Sequence, residues 1–243
     1  MMSAQKDPFT RKNPTTAAAS KTARPSRRNI LIVDDHPMLL AGLEQLINQQ
    51  PDLEVCGKPS NPAEAFKELS KFKPDLILTD ITMPGRSGIG FIKDLLALHP
   101  ELPILVLSMH DEVIYAERAL RAGARGYIMK ESGAENLVTA IRQVLGGQVY
   151  VSPRMSAKIV ANLSGRKPRG SSSPIEKLSD REFEVFQLIG EGKSSRDIAK
   201  ELRLSVKTVV VHRCHIKEKL ELKDATSLVR HAVRWVETRN ISP

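Results

Sequence analysis

Long apolar runs and cysteines are scarce in this chain of 243 residues. No apolar segment approaches the ~20 residues of a membrane span, and residues 1–28 contain no apolar core of the signal-peptide type. The two cysteines, Cys56 and Cys214, lie far apart without metal-binding spacing, so we expect free thiols in a reducing compartment. These absences argue against a membrane protein and a disulfide scaffold, and they favour a cytoplasmic location.

Charge is distributed unevenly along the chain. Residues 1–28 carry seven basic side chains and one acidic, residues 29–150 carry eleven and sixteen, and residues 151–243 carry nineteen and eleven. An acidic middle and a basic end predict two domains with different partners, and the basic end favours nucleic acid. The tail over 1–28 has almost nothing to bury, so we predict disorder and favour a solvated tail over a DNA-contacting arm.

Strand-like and helix-like patterns alternate five times between residues 29 and 148. The strand candidates, such as NILIV, LILT and PILVLS, are continuous apolar runs, which is typical of parallel strands that are buried on both faces. We therefore predict an α/β domain with a doubly wound, five-stranded parallel sheet.

The remainder of the chain has a different organisation. The stretch SGRKPRGSSSP predicts a flexible linker over 149–175, although SPRMSAKIVANL within it has the pattern of a short helix. From Leu178 the pattern is helical throughout, and Ser179 with Glu182 predicts a capping box at the first helix. We predict a small all-α domain of four helices over 176–240.

Polar side chains end four of the predicted parallel strands. Asp34 and Asp35 follow the first strand, Asp80 the third, Ser108 the fourth and Lys130 the fifth. These strand ends meet at one crevice, where clustered carboxylates would require a cation, and carboxylate oxygens suit Mg²⁺. A carboxylate beside a cation and a lysine can attack phosphorus and form an acyl phosphate. Taken singly, an aspartate at a strand end is usually a turn or cap residue, and a lysine after a strand is usually solvated, so the prediction rests on the joint pattern.

The motifs DD, TDITMPG, LS and GYIMK at these strand ends resemble the receiver domain of bacterial two-component response regulators, over about residues 28–148. The resemblance implies a flavodoxin-like receiver domain over 29–148, with phosphoryl transfer from a sensor histidine kinase to Asp80. It implies Mg²⁺ or Mn²⁺ bound by Asp35 and Asp80, by Asp34 through water and by the carbonyl of Thr82.

The same resemblance assigns the switch. Ser108 and Lys130 would contact the phosphoryl oxygens, and Tyr127 would swing inward once Ser108 moves towards the phosphoryl group. Glu131 follows Lys130 where many receivers have a proline, so we predict a trans peptide bond there.

The stretch SSRDIAKELRLSVKTVVVHRCHIKEKL has the spacing of a helix-turn-helix. On a helical wheel, Val209, His212, Ile216 and Leu220 share one face, which we predict to be core. The other faces supply the candidate DNA-contacting residues, which are Lys207, Thr208, Val210, Val211, Arg213, Cys214, His215 and Lys217. A solvated basic helix in a small bundle remains the alternative.

The segment from LSDREF to IKEKL resembles the LuxR-type DNA-binding domain, so the two domains together resemble a NarL/FixJ-type response regulator. The resemblance implies transcription regulation at double-stranded promoter DNA, with RNA polymerase as a further partner. It implies homodimers on phosphorylation through the last helix, with candidates Leu228, Val229, Ala232 and Trp235, of which Trp235 is equally a core candidate. Our hypothesis is that the unphosphorylated receiver masks the recognition helix or the dimer helix.

Three other functions remain open. An aspartyl phosphatase would use the same acyl phosphate, but Thr82 stands where many such enzymes carry a second acid. We therefore expect no enzyme beyond slow self-phosphorylation and self-dephosphorylation of Asp80. A ligand-sensing LuxR-type regulator would need an apolar cavity in place of the acidic cluster. A receiver with an interaction-only helical domain would bind no DNA.

Overall fold

The computed structural model describes residues 27–83, 86–110, 112–163 and 174–240. The strands are β1 (Arg28–Val33), β2 (Leu53–Gly57), β3 (Leu76–Thr79), β4 (Thr82–Met83), β5 (Arg86–Ser87), β6 (Ile104–Ser108) and β7 (Gly126–Met129). Five of them form one parallel sheet in the order β2-β1-β3-β6-β7, which confirms the predicted sheet, and β4 pairs with β5 in a short antiparallel ribbon.

Among the described residues, five α-helices belong to the sheet domain, one lies after it and four form the helical domain. They are α1 (Pro37–Asn48), α2 (Pro62–Leu69), α3 (Gly88–Leu98), α4 (Glu112–Arg121), α5 (Ala134–Leu145), α6 (Pro153–Leu163), α7 (Asp180–Gly190), α8 (Ser195–Glu201), α9 (Val206–Lys219) and α10 (Ala225–Asn240). Helix α6 lies within the predicted linker, where a short helix was one expectation. The predicted disorder covered residues 1–28, and the structure corrects its end, because Arg28 is the first residue of β1. Residues 1–26 and most of SGRKPRGSSSP lie outside the described residues.

The sheet is buried on both faces because its strands alternate between two cores. Leu31, Val33 and Ile77 belong to one apolar cluster, whereas Ile30 and Ile32 belong to the cluster on the opposite face. Successive side chains of a strand point to opposite faces, so two covered faces require a continuous apolar run. This explains why the central strands show no polar alternation in the sequence.

The register of the sheet aligns the strand ends. Val33 of β1 pairs with Thr79 of β3, and Thr79 pairs with Val106 of β6. Since parallel strands leave the sheet at the same edge, the residues after β1, β3 and β7 are brought together there.

The helical domain begins each of its first three helices with a serine cap. Ser179 and the buried Glu182 form the predicted capping box at α7, and Ser194 forms a second box with Asp197 at α8. Ser205 accepts a hydrogen bond from the backbone N–H of Thr208 at α9. These caps satisfy backbone donors that would otherwise lack partners and so define where the short helices start.

Helix α10 packs against α7 and turns most of its apolar residues inward. Leu228 and Ala232 are buried in the chain's own core, and the Trp235 ring lies edge-on to Phe183 and Phe186 of α7. A side chain without exposed surface cannot also contact a second copy, so we remove Leu228 and Ala232 from the predicted dimer surface. Among the dimer candidates, Val229 stays exposed, at 37%.

Every helix in the described part of the chain is too short or too polar to span a membrane.

Candidate functional site

The C-terminal edge of the sheet brings together residues that are distant in the sequence. Lys130, directly after β7, places its Nζ 2.7 Å from Asp34 Oδ2 after β1 and 2.8 Å from Asp80 Oδ2 after β3. All three side chains are buried, with Asp80 only 4% exposed. The structure therefore assembles the predicted convergence of aspartates and lysine, and the lysine compensates two buried negative charges.

Asp80 is held in a fixed orientation by its own backbone neighbourhood. Its Oδ1 accepts hydrogen bonds from the backbone N–H groups of Ile81 at 2.6 Å and Thr82 at 3.2 Å, which leaves Oδ2 directed at Lys130. Thr82 thus contacts the site through its amide. The predicted use of its carbonyl as a metal ligand stays a prediction.

Burial and pairing act against each other in this cluster. Burial raises the pKa of Asp80 above its ordinary value because it disfavours the carboxylate, and Lys130 offsets only part of that effect. Burial alone would lower the pKa of Lys130, but its hydrogen bonds to Asp34 and Asp80 outweigh burial, so that pKa is raised. The lysine consequently remains a cation beside the carboxylates.

The cluster has the composition of a divalent-cation site. Four side chains each place one potential ligand atom within 4.8 Å of the others, namely Asp34, Asp35, His36 and Asp80. Asp35 Oδ1 is buried and accepts no hydrogen bond, although the His36 ring Nδ1 lies 3.0 Å away. A buried carboxylate oxygen without a hydrogen bond is a natural cation ligand, so these residues fit Mg²⁺ or Mn²⁺.

His36 is a neighbour of this site that the sequence analysis did not select. Its backbone N–H donates to Asp34 Oδ1 at 2.8 Å, and its ring Nδ1 lies 2.9 Å from the same oxygen. The available signal was its position directly after the aspartate pair. The residue therefore helps to orient Asp34.

The two predicted switch residues both contact His110. Ser108 is fully buried and its Oγ accepts a hydrogen bond from the His110 backbone N–H at 3.0 Å. Tyr127 is also fully buried and donates from its hydroxyl to the His110 carbonyl at 2.7 Å. An inward swing of Tyr127 on phosphorylation presupposes an outward ring, which the structure does not show, because the ring already fills the interior. The Lys130–Glu131 bond is trans, as predicted.

Helix α9 presents the predicted recognition surface to solvent. Val209, Ile216 and Leu220 are buried as core residues, and His212 is half-buried. Five of the candidate DNA-contacting residues are exposed in the intact chain, which are Lys207, Val210, Val211, Cys214 and His215. The other three, Thr208, Arg213 and Lys217, are half-buried. The sheet domain therefore leaves this face open, and the predicted masking of the recognition helix is not seen.

An acidic strand-end pocket in a doubly wound sheet, joined to a helix-turn-helix, defines a receiver-controlled regulator. Family models agree on both parts of the chain. The model described as "Response regulator receiver domain" matches residues 30–142, and "Bacterial regulatory proteins, luxR family" matches residues 176–232. The chain belongs to the two-component response regulators of the NarL/FixJ type, as the motifs predicted.

Relatives with curated descriptions match across both domains. Oxygen regulatory protein NreC of Staphylococcus carnosus is 36% identical over 209 residues, which cover 84% of this chain and 96% of that protein. NreC of Staphylococcus aureus is 37% identical, with the same coverage.

Solved structures agree with the fold. RcsB from Salmonella enterica serovar Typhimurium, bound to promoter rprA with phosphomimetic BeF3−, has a TM-score of 0.65 at 25% identity and covers 86% of this chain and 99% of that one. A LuxR-family response regulator from Aurantimonas reaches a TM-score of 0.54 at 32% identity over 57% of this chain and 99% of that one.

The family confirms the predicted function at the level of the whole chain. The protein is a DNA-binding transcription regulator under control by phosphorylation, and its family acts with sensor histidine kinases. The phosphatase, ligand-sensing and interaction-only alternatives are set aside because both domains match regulator families.

Proposed function

We propose that Asp80 is the phosphoacceptor of this regulator. Oδ1 of Asp80 is fixed by two backbone amides, and Oδ2 contacts the Lys130 ammonium. In the proposed transfer, a carboxylate oxygen of Asp80 forms a bond to phosphorus as the bond between phosphorus and the kinase's histidine nitrogen breaks. The imidazole leaves with the electron pair of that bond.

The residues around Asp80 have separate parts in this proposal. Asp34, Asp35 and Asp80, with the carbonyl of Thr82, would hold Mg²⁺ or Mn²⁺, which supplies charge compensation to the incoming phosphoryl oxygens when bound. Lys130 would exchange one carboxylate partner for a phosphoryl oxygen, and Ser108 would donate its hydroxyl to another. The observation that carries the proposal is the Lys130 ammonium between Asp34 and Asp80.

Phosphate incorporation tests this assignment. The full chain with Mg²⁺ and labelled acetyl phosphate should take up one phosphate, mapped by mass spectrometry to Asp80. Asp80→Asn should take up none, whereas Asp52→Asn, which changes a half-exposed carboxylate at the opposite sheet edge, should behave as wild type. Label on another residue, or full uptake by Asp80→Asn, would overturn the assignment.

We propose that α9 is the recognition helix. Its open face carries Lys207, Arg213 and Lys217 for phosphate contacts and Val210 and Val211 for thymine methyl groups. Thr208, Cys214 and His215 complete the candidate surface. The RcsB structure shows that relative on promoter DNA, which supports double-stranded promoter DNA as the ligand here.

We infer the remaining features of the regulator from its family and from the open face of α10. Phosphorylated chains would form homodimers through a surface that includes Val229, on a promoter with two half-sites. RNA polymerase is a proposed further partner, and the cytoplasm is the proposed location. Domain boundaries at 29–148, 149–175 and 176–240 stay proposals, as does slow self-phosphorylation.

A further inference from the structure

The two predicted switch residues hold the backbone of His110, one through its N–H and the other through its carbonyl. Its backbone N–H donates to Ser108 Oγ at 3.0 Å, and its carbonyl accepts from the Tyr127 hydroxyl at 2.7 Å. Ser108 ends β6 and Tyr127 lies in β7, so both contacts originate in rigid strands. The position of His110 therefore depends on where these two hydroxyl groups point.

The ring of His110 extends this connection to the helical domain. It stacks on Tyr115 of α4 with ring centroids 4.8 Å apart and planes at 21°. Tyr115 in turn meets Phe183 of α7 edge-on at 5.2 Å, and Phe183 meets Trp235 of α10 at 5.4 Å. An unbroken series of ring contacts thus runs from beside the phosphorylation site to α10.

Charged contacts hold the two domains together around these rings. Asp180, the first residue of α7, accepts hydrogen bonds from Lys93 of α3 at 2.7 Å and from Arg118 of α4 at 3.1 Å. The Arg118 guanidinium also lies 4.5 Å from the centre of the Phe183 ring and donates to the carbonyl of Ile175 at 3.0 Å. The ring contacts are therefore enclosed, since Tyr115 and Phe183 are both buried.

We propose that His110 is the positioning residue that transmits phosphorylation of Asp80 to the packing of α7 and α10. This inference rests on the proposed function of Asp80. When the Ser108 hydroxyl turns to a phosphoryl oxygen, the His110 N–H loses its acceptor, and the backbone that carries the ring shifts. The ring then leaves Tyr115, and the contact of Tyr115 with Phe183 loosens.

The position of these ring contacts determines which part of the helical domain responds to phosphorylation. The ring contacts end on α7 and α10, whereas the outer face of α9 is already open. The signal therefore alters how α10 meets a second copy of the chain, and it leaves the contact of one recognition helix with one half-site unchanged. Phosphorylation should raise affinity for two adjacent half-sites and not for a single one.

Trp235 provides a direct readout, because it is the chain's single tryptophan and it packs on Phe183. Tryptophan emission of the full chain would be recorded with Mg²⁺, before and after addition of BeF3−. The wild type should show a shift of emission. His110→Ala removes the ring but keeps the backbone, so the shift should be lost, and His110→Phe keeps a stacking ring and should restore it.

Two further variants complete the experiment. His99→Ala removes an exposed histidine at the end of α3 and should retain the wild-type shift. Tyr115→Leu removes the α4 ring of the same stacking contact and should also abolish the shift of tryptophan emission. This second variant tests the proposal even if His110→Ala fails to fold. An unchanged shift in a folded His110→Ala or Tyr115→Leu variant overturns the proposal.

Uptake of labelled phosphate, measured in parallel, separates this proposal from the function on which it rests. If the wild type takes up no label at Asp80, the phosphoacceptor assignment fails. If the wild type takes up label but its tryptophan emission does not move, the role of His110 fails and the assignment of Asp80 stands. A single half-site bound more tightly after BeF3− addition would also contradict the proposal.

Discussion

The strand-end site and the outer face of α9 hold their charges in opposite ways. At the sheet edge, Lys130 is buried between Asp34 and Asp80 and forms an ion pair with each of them. On α9, the exposed Lys207 and the half-buried Arg213 and Lys217 form no ion pair with any described residue. Buried, paired charges determine geometry and are insensitive to salt, whereas exposed, unpaired charges remain available to a polyanion. The first region suits chemistry at one atom, and the second suits binding to DNA.

Removal of the buried cation should have the largest effect. Lys130→Met leaves two aspartates buried without their partner, so we expect the free energy of unfolding of the sheet domain to fall by about 3 kcal/mol without divalent ions. Urea unfolding in chelator measures this, and Mg²⁺ should restore part of the loss. The control is Lys58→Met, which breaks the exposed pair with Glu44 and should cost less than about 1 kcal/mol. Equal losses in the two variants would refute the distinction between buried and exposed pairs.

Glu182 is a buried charge of the helical domain and should have the next largest effect. Although burial acts to raise it, hydrogen bonds from Lys219 and Ser179 hold the pKa of Glu182 below its ordinary value. Glu182→Gln should lower the stability of this domain at pH 7 by about 1.5 kcal/mol. A depressed pKa means that the contribution is complete above the unfolded value, roughly 4.3, and is lost as the pH falls through the lower folded value.

Denaturant unfolding of wild type and Glu182→Gln from pH 7 downwards measures this dependence. The difference between the two proteins in free energy of unfolding should disappear at the lowest pH values. Glu221→Gln removes an exposed carboxylate and should show little difference at any pH. If the difference in free energy of unfolding between wild type and Glu182→Gln increased as the pH fell, the predicted direction of the pH dependence would be wrong.

The charges at the contact between the two domains are less buried than those of the strand-end site and less exposed than those on the outer face of α9. Arg118, with a side chain only 11% exposed, donates to Asp180 across the domains, whereas Arg121 on the same helix pairs with Glu117 in solvent. Arg118→Gln should weaken the association of the domains by at least about 1 kcal/mol, because the charged hydrogen bonds to Asp180 and to the Ile175 carbonyl are lost. Arg121→Gln should leave it unchanged. Limited proteolysis of the segment after α6 compares them, and equal cleavage rates would contradict the prediction.

The exposed Lys207 of α9 should have the smallest effect on stability and a selective effect on DNA binding. Lys207→Ala should change the free energy of unfolding by no more than about 0.5 kcal/mol. It should also reduce the slope of log K against log salt by about one unit, because one phosphate contact is lost. Titration of promoter DNA at several salt concentrations measures the slope. Lys67→Ala, exposed on α2 of the sheet domain, serves as the control, and an unchanged slope for Lys207→Ala would remove this residue from the interface.

Much of the fold and of the acidic site follows from local sequence. Continuous apolar strands predicted a sheet that is buried on both faces, and Ser179 with Glu182 predicted the start of α7. The residues at the strand ends were predictable because a parallel sheet with right-handed crossovers brings these ends to one edge. His36 was missed because a histidine after two aspartates has no chemical role until its ring is seen beside Asp34.

By itself, the sequence determined the order of strands and helices, the helix caps and which charged groups reach the sheet edge, because these depend on neighbours in the chain and on the geometry of parallel strands. Only the tertiary structure decided that Tyr127 is already inside, that Leu228 and Ala232 face the chain's own core, and that His110 touches Tyr115. A helix has several faces that can be buried, and a ring has several rotamers. The choice among them is made by packing against elements from elsewhere in the chain, which local periodicity does not encode.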